Sequence, residues 1–175
     1  PRVWDPRTPE GRALWFGSYL PYAAVHFLLG PALFLPLGPG AAASAAANSA
    51  LAEVLTNLHT FLIITTNHAG DDVAAFDGPP EDRAAFLLRQ IVGSVNYRTG
   101  GDLNDMLHGW LNYQIEHHVW PDMTPLQYRK VQPKLKELCR RHGVPYVQQS
   151  VWTRLRKTLD VMVGRADMKR DGGWR

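Results

Sequence analysis

Residues 13–37 read ALWFGSYLPYAAVHFLLGPALFLPL, twenty-five positions without a charge. At about 1.5 Å per residue, a helix of that length crosses a hydrocarbon layer of about 30 Å. Pro21, Pro31 and Pro36 would break or kink a helix in water. In a membrane bundle they are tolerated where neighbouring groups satisfy the freed carbonyls. Trp15, Tyr19 and Tyr22 cluster toward one end, as interfacial anchors do. No Asp, Glu, Lys or Arg occurs between Arg12 and Glu53, a gap that water-soluble domains rarely show.

Working outward, residues 1–12 are polar and proline-rich and read as a connector. Gly38-Pro39-Gly40 is a turn, and 41–67, AAASAAANSALAEVLTNLHTFLIITTN, is a second long helical stretch. Its Ala and Ser suit close helix packing. Two spans joined by a short turn make a hairpin with both ends on one side of the membrane. Glu53 would then lie within a span, where a carboxylate implies function or a pairing partner. A tilted, short or interfacial second segment is the alternative.

Beyond 67 the pattern becomes amphipathic. Helices are predicted over 83–97, 102–120, 125–142 (bent or split at Pro133) and 150–163, the last with Val151, Leu155, Leu159 and Met162 on one face. The expected fold is all-α: a transmembrane hairpin over 13–67, a cytosolic cap of amphipathic helices over 68–164, and a polar, fraying tail over 165–175.

The chain has 175 residues and a net charge of +3, unevenly distributed. Residues 129–175 hold thirteen Lys or Arg against four Asp or Glu, whereas 1–128 hold six against twelve. A basic tail behind an apolar half suggests a cytoplasmic face near anionic lipid, in a bacterial inner membrane or the endoplasmic reticulum. The basic residues are not interleaved with aromatics, which argues against nucleic-acid binding. A single cysteine, Cys139, excludes an internal disulfide. No signal peptide is visible, and the opening PRVWDPRTPEGR has no initiator methionine, so a piece of a longer protein is expected.

Gln114-Ile115-Glu116-His117-His118 carries the chemistry. On a helix Gln114 lies beside both histidines, at i+3 and i+4. Adjacent imidazoles point about 100° apart, which suits two metals side by side or one metal approached from different turns. Imidazole suits iron and zinc. An exposed helix end is the bland alternative.

The full run, Asn112 to Pro121 (NYQIEHHVWP), resembles the third histidine box of membrane fatty acid desaturases, the QxxHH type followed by an aromatic and a proline. Tyr128 to Pro133, Leu138-Cys139, His142 to Tyr146, and Arg89-Gln90 to Asn96 with Gly101 and Asp102 are also similar to that family. The resemblance covers about residues 50–150, most specifically 110–121, and is expected to represent the C-terminal part of such an enzyme. It implies four transmembrane helices and a cytosolic cap. It also implies two irons held by histidines from three boxes plus one more, with O2 as co-substrate and a cis double bond as product. By the resemblance, His117 and His118 are metal ligands, and His68 after Asn67 is the additional one. Asn112 and Gln114 would position water or an iron-linked ligand. Glu116 and Asp102 would support the ligands, with Asp71, Asp72 and Asp105 as further candidates, although Asp71-Asp72 could equally cap a short helix.

The HxxxH and HxxHH boxes are absent. His26, His59, His108 and His142 are not paired at i+3 or i+4 and are not expected to be ligands. A missing N-terminal half carrying those boxes is therefore an expected partner. Further partners are a membrane lipid or acyl-CoA/acyl-carrier substrate and an electron donor, ferredoxin or cytochrome b5. Arg140 and Arg141 are candidates for the substrate head group. A di-iron lipid hydroxylase, a non-catalytic scaffold or degenerate paralogue, and, more weakly, a soluble zinc protein are the competing readings.

Overall fold

The computed structural model describes residues 2–170. They are predominantly helical and divide into two compact units, Pro1–Leu58 and His59–Arg175.

In the first unit, α1 runs Pro9–Leu37. The Thr8 side chain accepts from Gly11 N at 3.0 Å, and Pro9 takes the first helical position, where no N–H is needed. Gly11 is obligatory: a Cβ there would sit 1.8 Å from the Asp5 carbonyl oxygen. Two wide, π-type turns, Trp15–Tyr19 and Ala24–Leu29, precede Pro21 and Pro31. A proline ring presses on the carbonyl four residues back, here Gly17 and Phe27, and both lie inside the widened turns. The helix thus absorbs its prolines instead of breaking. A 3-10 turn, Leu35–Leu37, and Gly38 at φ 108° end it.

Helix α2 follows, Pro39–Ile64. Among the described residues only α1 is long and apolar enough to cross a membrane by length and composition. The second predicted span is a helix of 26 residues, but Ser44, Asn48, Ser49, Glu53 and Asn57 dilute its apolarity. Glu53 has the expected partner: Tyr22 Oη donates to Oε2, and Asn57 Nδ2 donates to Oε1 at 2.7 Å.

The second unit contains α3 (Arg83–Val92), α4 (Asp102–Leu107), α5 (Gln114–Val119), α6 (Pro125–Arg141) and α7 (Val151–Met162). Two short parallel strands, β1 (Asn96–Tyr97) and β2 (Gln148–Gln149), pair Asn96 with Gln148 and Tyr97 with Gln149. Helix α3 begins at the Asp82 cap and stops at Val92, short of the predicted 97, because Asn96 and Tyr97 join β2.

The helix predicted over 102–120 is two helices. Gly109 (φ 55°) and Trp110 (φ 62°) are both left-handed, and the chain doubles back so that Asn112 and Tyr113 reach Asp105. Pro133 does not split α6, which stays continuous from its Thr124–Gln127 capping box to Arg141. The apolar core is small: Ile115, Leu135 and Cys139, with Ile91, Val119, Trp120, Val144 and Tyr146 packed around them. The inward side of helix α7 is rotated from the predicted face: Val151 and Leu155 are half-buried. Arg154 and Thr158 are buried, while Leu159 and Met162 are exposed. The tail is tied at Lys169, which bridges Ala74 in parallel, and its last residues, 171–175, lie outside the described residues.

Candidate metal centre

Three imidazoles gather where the end of α2 meets α5. His68 follows the 3-10 turn Thr65–Asn67 that extends α2, and His117 and His118 lie on α5. The His68 and His118 rings are 5.1 Å apart at 81°, and the His117 and His118 rings 5.8 Å apart at 64°. Gln114 sits between them: its Nε2 lies 3.2 Å from His68 Nε2 and 2.8 Å from His118 Nε2.

The outer ring nitrogens are held by the protein. His118 Nδ1 donates to Gln90 Oε1 at 3.1 Å, which leaves its Nε2 unprotonated to accept from Gln114 Nε2. His117 Nδ1 lies 3.1 Å from Tyr128 Oη, whose own proton goes to the Trp120 and Pro121 carbonyls at 3.2 and 3.3 Å. Tyr128 therefore accepts from His117 Nδ1. The Gly93 backbone opposes the fall of the His68 pKa without reversing it. A ring nitrogen anchored to protein with the other lone pair free is how ligand histidines are held.

Burial lowers the His68 pKa, and burial together with the neighbouring imidazoles takes His118 down to about 4. Both rings are neutral at pH 7, the form a metal binds. Gln114 Oε1 is buried without a partner. The neutral nitrogens of His68 and His118 are the donor type that an imidazole-binding metal takes. The three alone are too few for two irons, and among the described residues no group of three or more His, Cys, Asp or Glu is arranged to hold a metal.

The segment carrying His68 is pinned from several sides. Tyr97 Oη donates to the Leu62 and Ile63 carbonyls at 2.9 and 3.0 Å, Val95 N to Asn67 O at 3.1 Å, and Asn67 Nδ2 to Leu111 O at 3.1 Å. Beneath α5, the fully buried Glu116 accepts from Asn96 Nδ2 (2.8 Å) and Tyr146 Oη (2.7 Å), and Asn96 Oδ1 accepts from Ile115 N (2.8 Å). Burial pushes the Glu116 carboxyl above its usual range despite those donors. This network holds the backbone of α5 rather than the histidines directly.

The other candidates lie elsewhere. Asn112 donates to Asp105, which is fully buried and also receives Tyr113 Oη (3.0 Å) and Arg129 (2.5 Å). Asp102 is exposed and pairs with Arg129 at 2.8 Å. Asp71 and Asp72 neither touch the histidines nor cap a helix; they pair with Lys157 and Arg154. Arg140 and Arg141 are exposed and share Glu137, at 2.7 and 2.9 Å, and Arg140 lines an open pocket of about 490 Å³ with Lys136, Val144 and Tyr146. His26, His59 and His108 hold backbone oxygens of Tyr22, Leu107 and Asn104, and His142 closes α6. Sequence reasoning missed Arg154 and the ring anchor Gln90. The usable signal for Arg154 was an arginine and a threonine at i and i+4, flanking the apolar face of α7 beside Val151.

The chain is helical, has one helix of membrane-crossing length and apolarity among the described residues, and gathers His68, His117 and His118. The fatty acid desaturase family model matches residues 2–150, and the chain belongs to that family. It is 33% identical over 126 residues to the NADPH-dependent stearoyl-CoA 9-desaturase of Mycobacterium tuberculosis, covering 70% of this chain and 29% of that protein. It is 38% identical over 71 residues to mouse fatty acid desaturase 2-like protein FADS2B, covering 41% of this chain and 14% of that protein. It is 32% identical over 105 residues to the delta(8)-fatty-acid desaturase 2 of Arabidopsis thaliana, covering 60% and 22%. No solved structure matches. The match from residue 2 corrects two expectations: the family likeness is not confined to about 50–150 or to a C-terminal part, and it gives no support to a missing N-terminal half as partner. Residues 2–49 lack histidine-box spacing, so a reading centred on histidines could not find the likeness there.

Proposed function

We propose that this chain serves the oxygen-dependent desaturation of a lipid acyl chain, with His68, His117 and His118 as iron ligands. The observation that carries the reading is that the His117 and His118 rings are each anchored through Nδ1 while the Nε2 atoms of His68 and His118 converge on Gln114. Desaturation removes two hydrogens from adjacent methylenes, and these, with O2, two donated electrons and two protons, leave as two waters. Bound iron would supply that oxygen chemistry, which no acid or base side chain can perform. His68 and His118 offer neutral nitrogens, Gln90 and Tyr128 fix the orientations of the His118 and His117 rings, and Gln114 orients a polar group between them. Desaturase relatives acting on stearoyl-CoA and fatty acids support an acyl substrate. The electrons would come from a ferredoxin- or cytochrome b5-type donor.

The membrane arrangement is part of the same proposal. Helices α1 and α2 would form the hairpin, supported by the uncharged run from 13 to 52 and by the Tyr22–Glu53 contact. The basic excess over 129–175 supports a cytoplasmic placement of the second unit.

The test is elemental analysis of the protein purified in detergent from its own source, with lipid product analysis by mass spectrometry. Iron lost in both His68→Ala and His118→Ala, with loss of an unsaturated product, is the expected result. Iron retained in both variants would reject the ligand assignment, and a hydroxylated product would redirect the reaction.

A further inference from the structure

Arg154 is fully buried, and the partners its guanidinium holds include no imidazole. Its guanidinium spreads over the segment that carries His68. Nε donates to Thr66 O at 3.2 Å, one terminal nitrogen to Ala69 O at 2.8 Å, and the other to Asp72 Oδ1 at 2.5 Å and Gln149 Oε1 at 3.2 Å. Thr158, one turn further along α7, adds its hydroxyl to Ala69 O at 3.1 Å. Asp72 is held in turn by Lys157 at 2.7 Å and Gln149 Nε2 at 3.2 Å. Gly70 is cut to fit: a Cβ there would stand 2.5 Å from the guanidinium and 2.9 Å from the Asp72 carboxylate.

Carbonyls at a helix end need donors, and a backbone loop left without them moves. Thr66 O and Ala69 O bracket His68, two residues before it and one after. A planar fork can hold both at once and carry its charge onto Asp72; a lysine cannot. Burying a guanidinium is costly unless it is paired and hydrogen-bonded, as Arg154 is by Asp72 and the Thr66 and Ala69 carbonyls.

We infer that Arg154, clamped by Asp72 and seated over Gly70, is the positioning residue that sets the imidazole of His68 for metal binding. The inference rests on the reading of His68 as a ligand. Nothing in it requires Arg154 to touch metal or substrate. Helix α7 therefore acts as a brace behind the site, although it contributes no ligand.

The test compares wild type with Arg154→Lys and Gly70→Ala in the full protein in detergent, using cobalt(II) as a spectroscopic stand-in for iron. Arg154→Lys keeps the charge and loses the fork; Gly70→Ala keeps the arginine and displaces it. Both should weaken cobalt affinity by about 10- to 100-fold, change its visible absorption, and speed amide exchange over 65–70, with helicity intact. Wild-type affinity and spectrum in both variants would overturn the clamp. If wild type bound no cobalt while exchange over 65–70 still rose in the variants, the clamp would stand as a brace of that loop and the ligand reading would fall instead. Should both variants fail to fold, Thr158→Val removes only one donor to Ala69 O. A several-fold affinity loss is then expected, and none would count against the inference.

Discussion

The two units invert each other's chemistry. In the first, large apolar side chains face outward: Leu28 is 68% exposed and Leu33 80%, and the buried positions of α1 are Gly11 and Pro31. In the second, the most enclosed side chains include Arg154, Glu116, Asp105, Asn96, Asn67 and Asn112. A unit that exposes leucine and one that buries arginine are built for different surroundings. The first gains stability only where its surface meets an apolar medium. The second spends apolar burial on keeping a few polar groups dry and immobile, because a buried polar group is tolerated only when its partners are fixed.

The strongest test of the second half of that comparison is Asp105→Ala. It strands Asn112 and Tyr113 and leaves Arg129 without its buried acceptor. Thermal or denaturant unfolding of the full protein should show a loss of about 3–5 kcal/mol. Less than about 1 kcal/mol would mean that the buried network is not what stabilises this unit.

The first half is tested by Leu28→Arg. A charge at the middle of a span costs about 2.5–3.5 kcal/mol in membrane insertion, so a glycosylation-tag insertion assay should show α1 shifting out of the bilayer. The same change at the exposed Trp152 of α7 should leave insertion as it was. Equal behaviour of the two would erase the distinction between the units.

The legible and illegible parts of the sequence divide along the same line. Helix α1 was readable because a charge-free run of 25 has few other uses, and its prolines changed the turn type without ending the helix. The resemblance of Asn112 to Pro121 to a histidine box pointed to His117 and His118, and the likeness of Asn67-His68 to the family's additional histidine position pointed to His68. What could not be read were long-range pairings. Nothing local says that Arg154 will meet Ala69, 85 positions away, or that Asn96 will hold Glu116. Helix periodicity failed in α7 for a related reason. It assumes that apolar means inward, and here a charge had the stronger claim to the interior. The break at Gly109-Trp110 was hidden because tryptophan gives no sign of adopting a left-handed conformation.

The pH dependence sharpens the comparison further. His118, held down to about 4, and His68, also lowered, take up protons more readily in the unfolded chain, where histidine titrates near about 6.5. The folded protein binds fewer protons in that window. Its stability should be at full value above about pH 6.5 and fall as the pH drops toward about 4. Glu116, with its carboxyl raised, works in the opposite sense, so the difference between wild type and His118→Gln is the informative quantity. The variant should lose part of the acid slope in thermal unfolding. An unchanged slope would show that His118 is not held neutral by burial.

The smallest effect is expected at the surface of the second unit. Arg140 and Arg141 are exposed and share one carboxylate, an arrangement that contributes little to stability because solvent screens it. If they meet an anionic acyl carrier, their value lies in encounter rather than in fold. Reversing both to Glu should leave the unfolding midpoint within error. It should raise KM for an acyl-CoA by about two- to fivefold at low ionic strength and by less at high salt, with kcat unchanged. A KM that does not move at low salt would remove them from the substrate path. A fall in kcat would mean that the charge on α6 is felt at α5, and the division within the second unit between dry interior and screened surface would then have to be redrawn at α6.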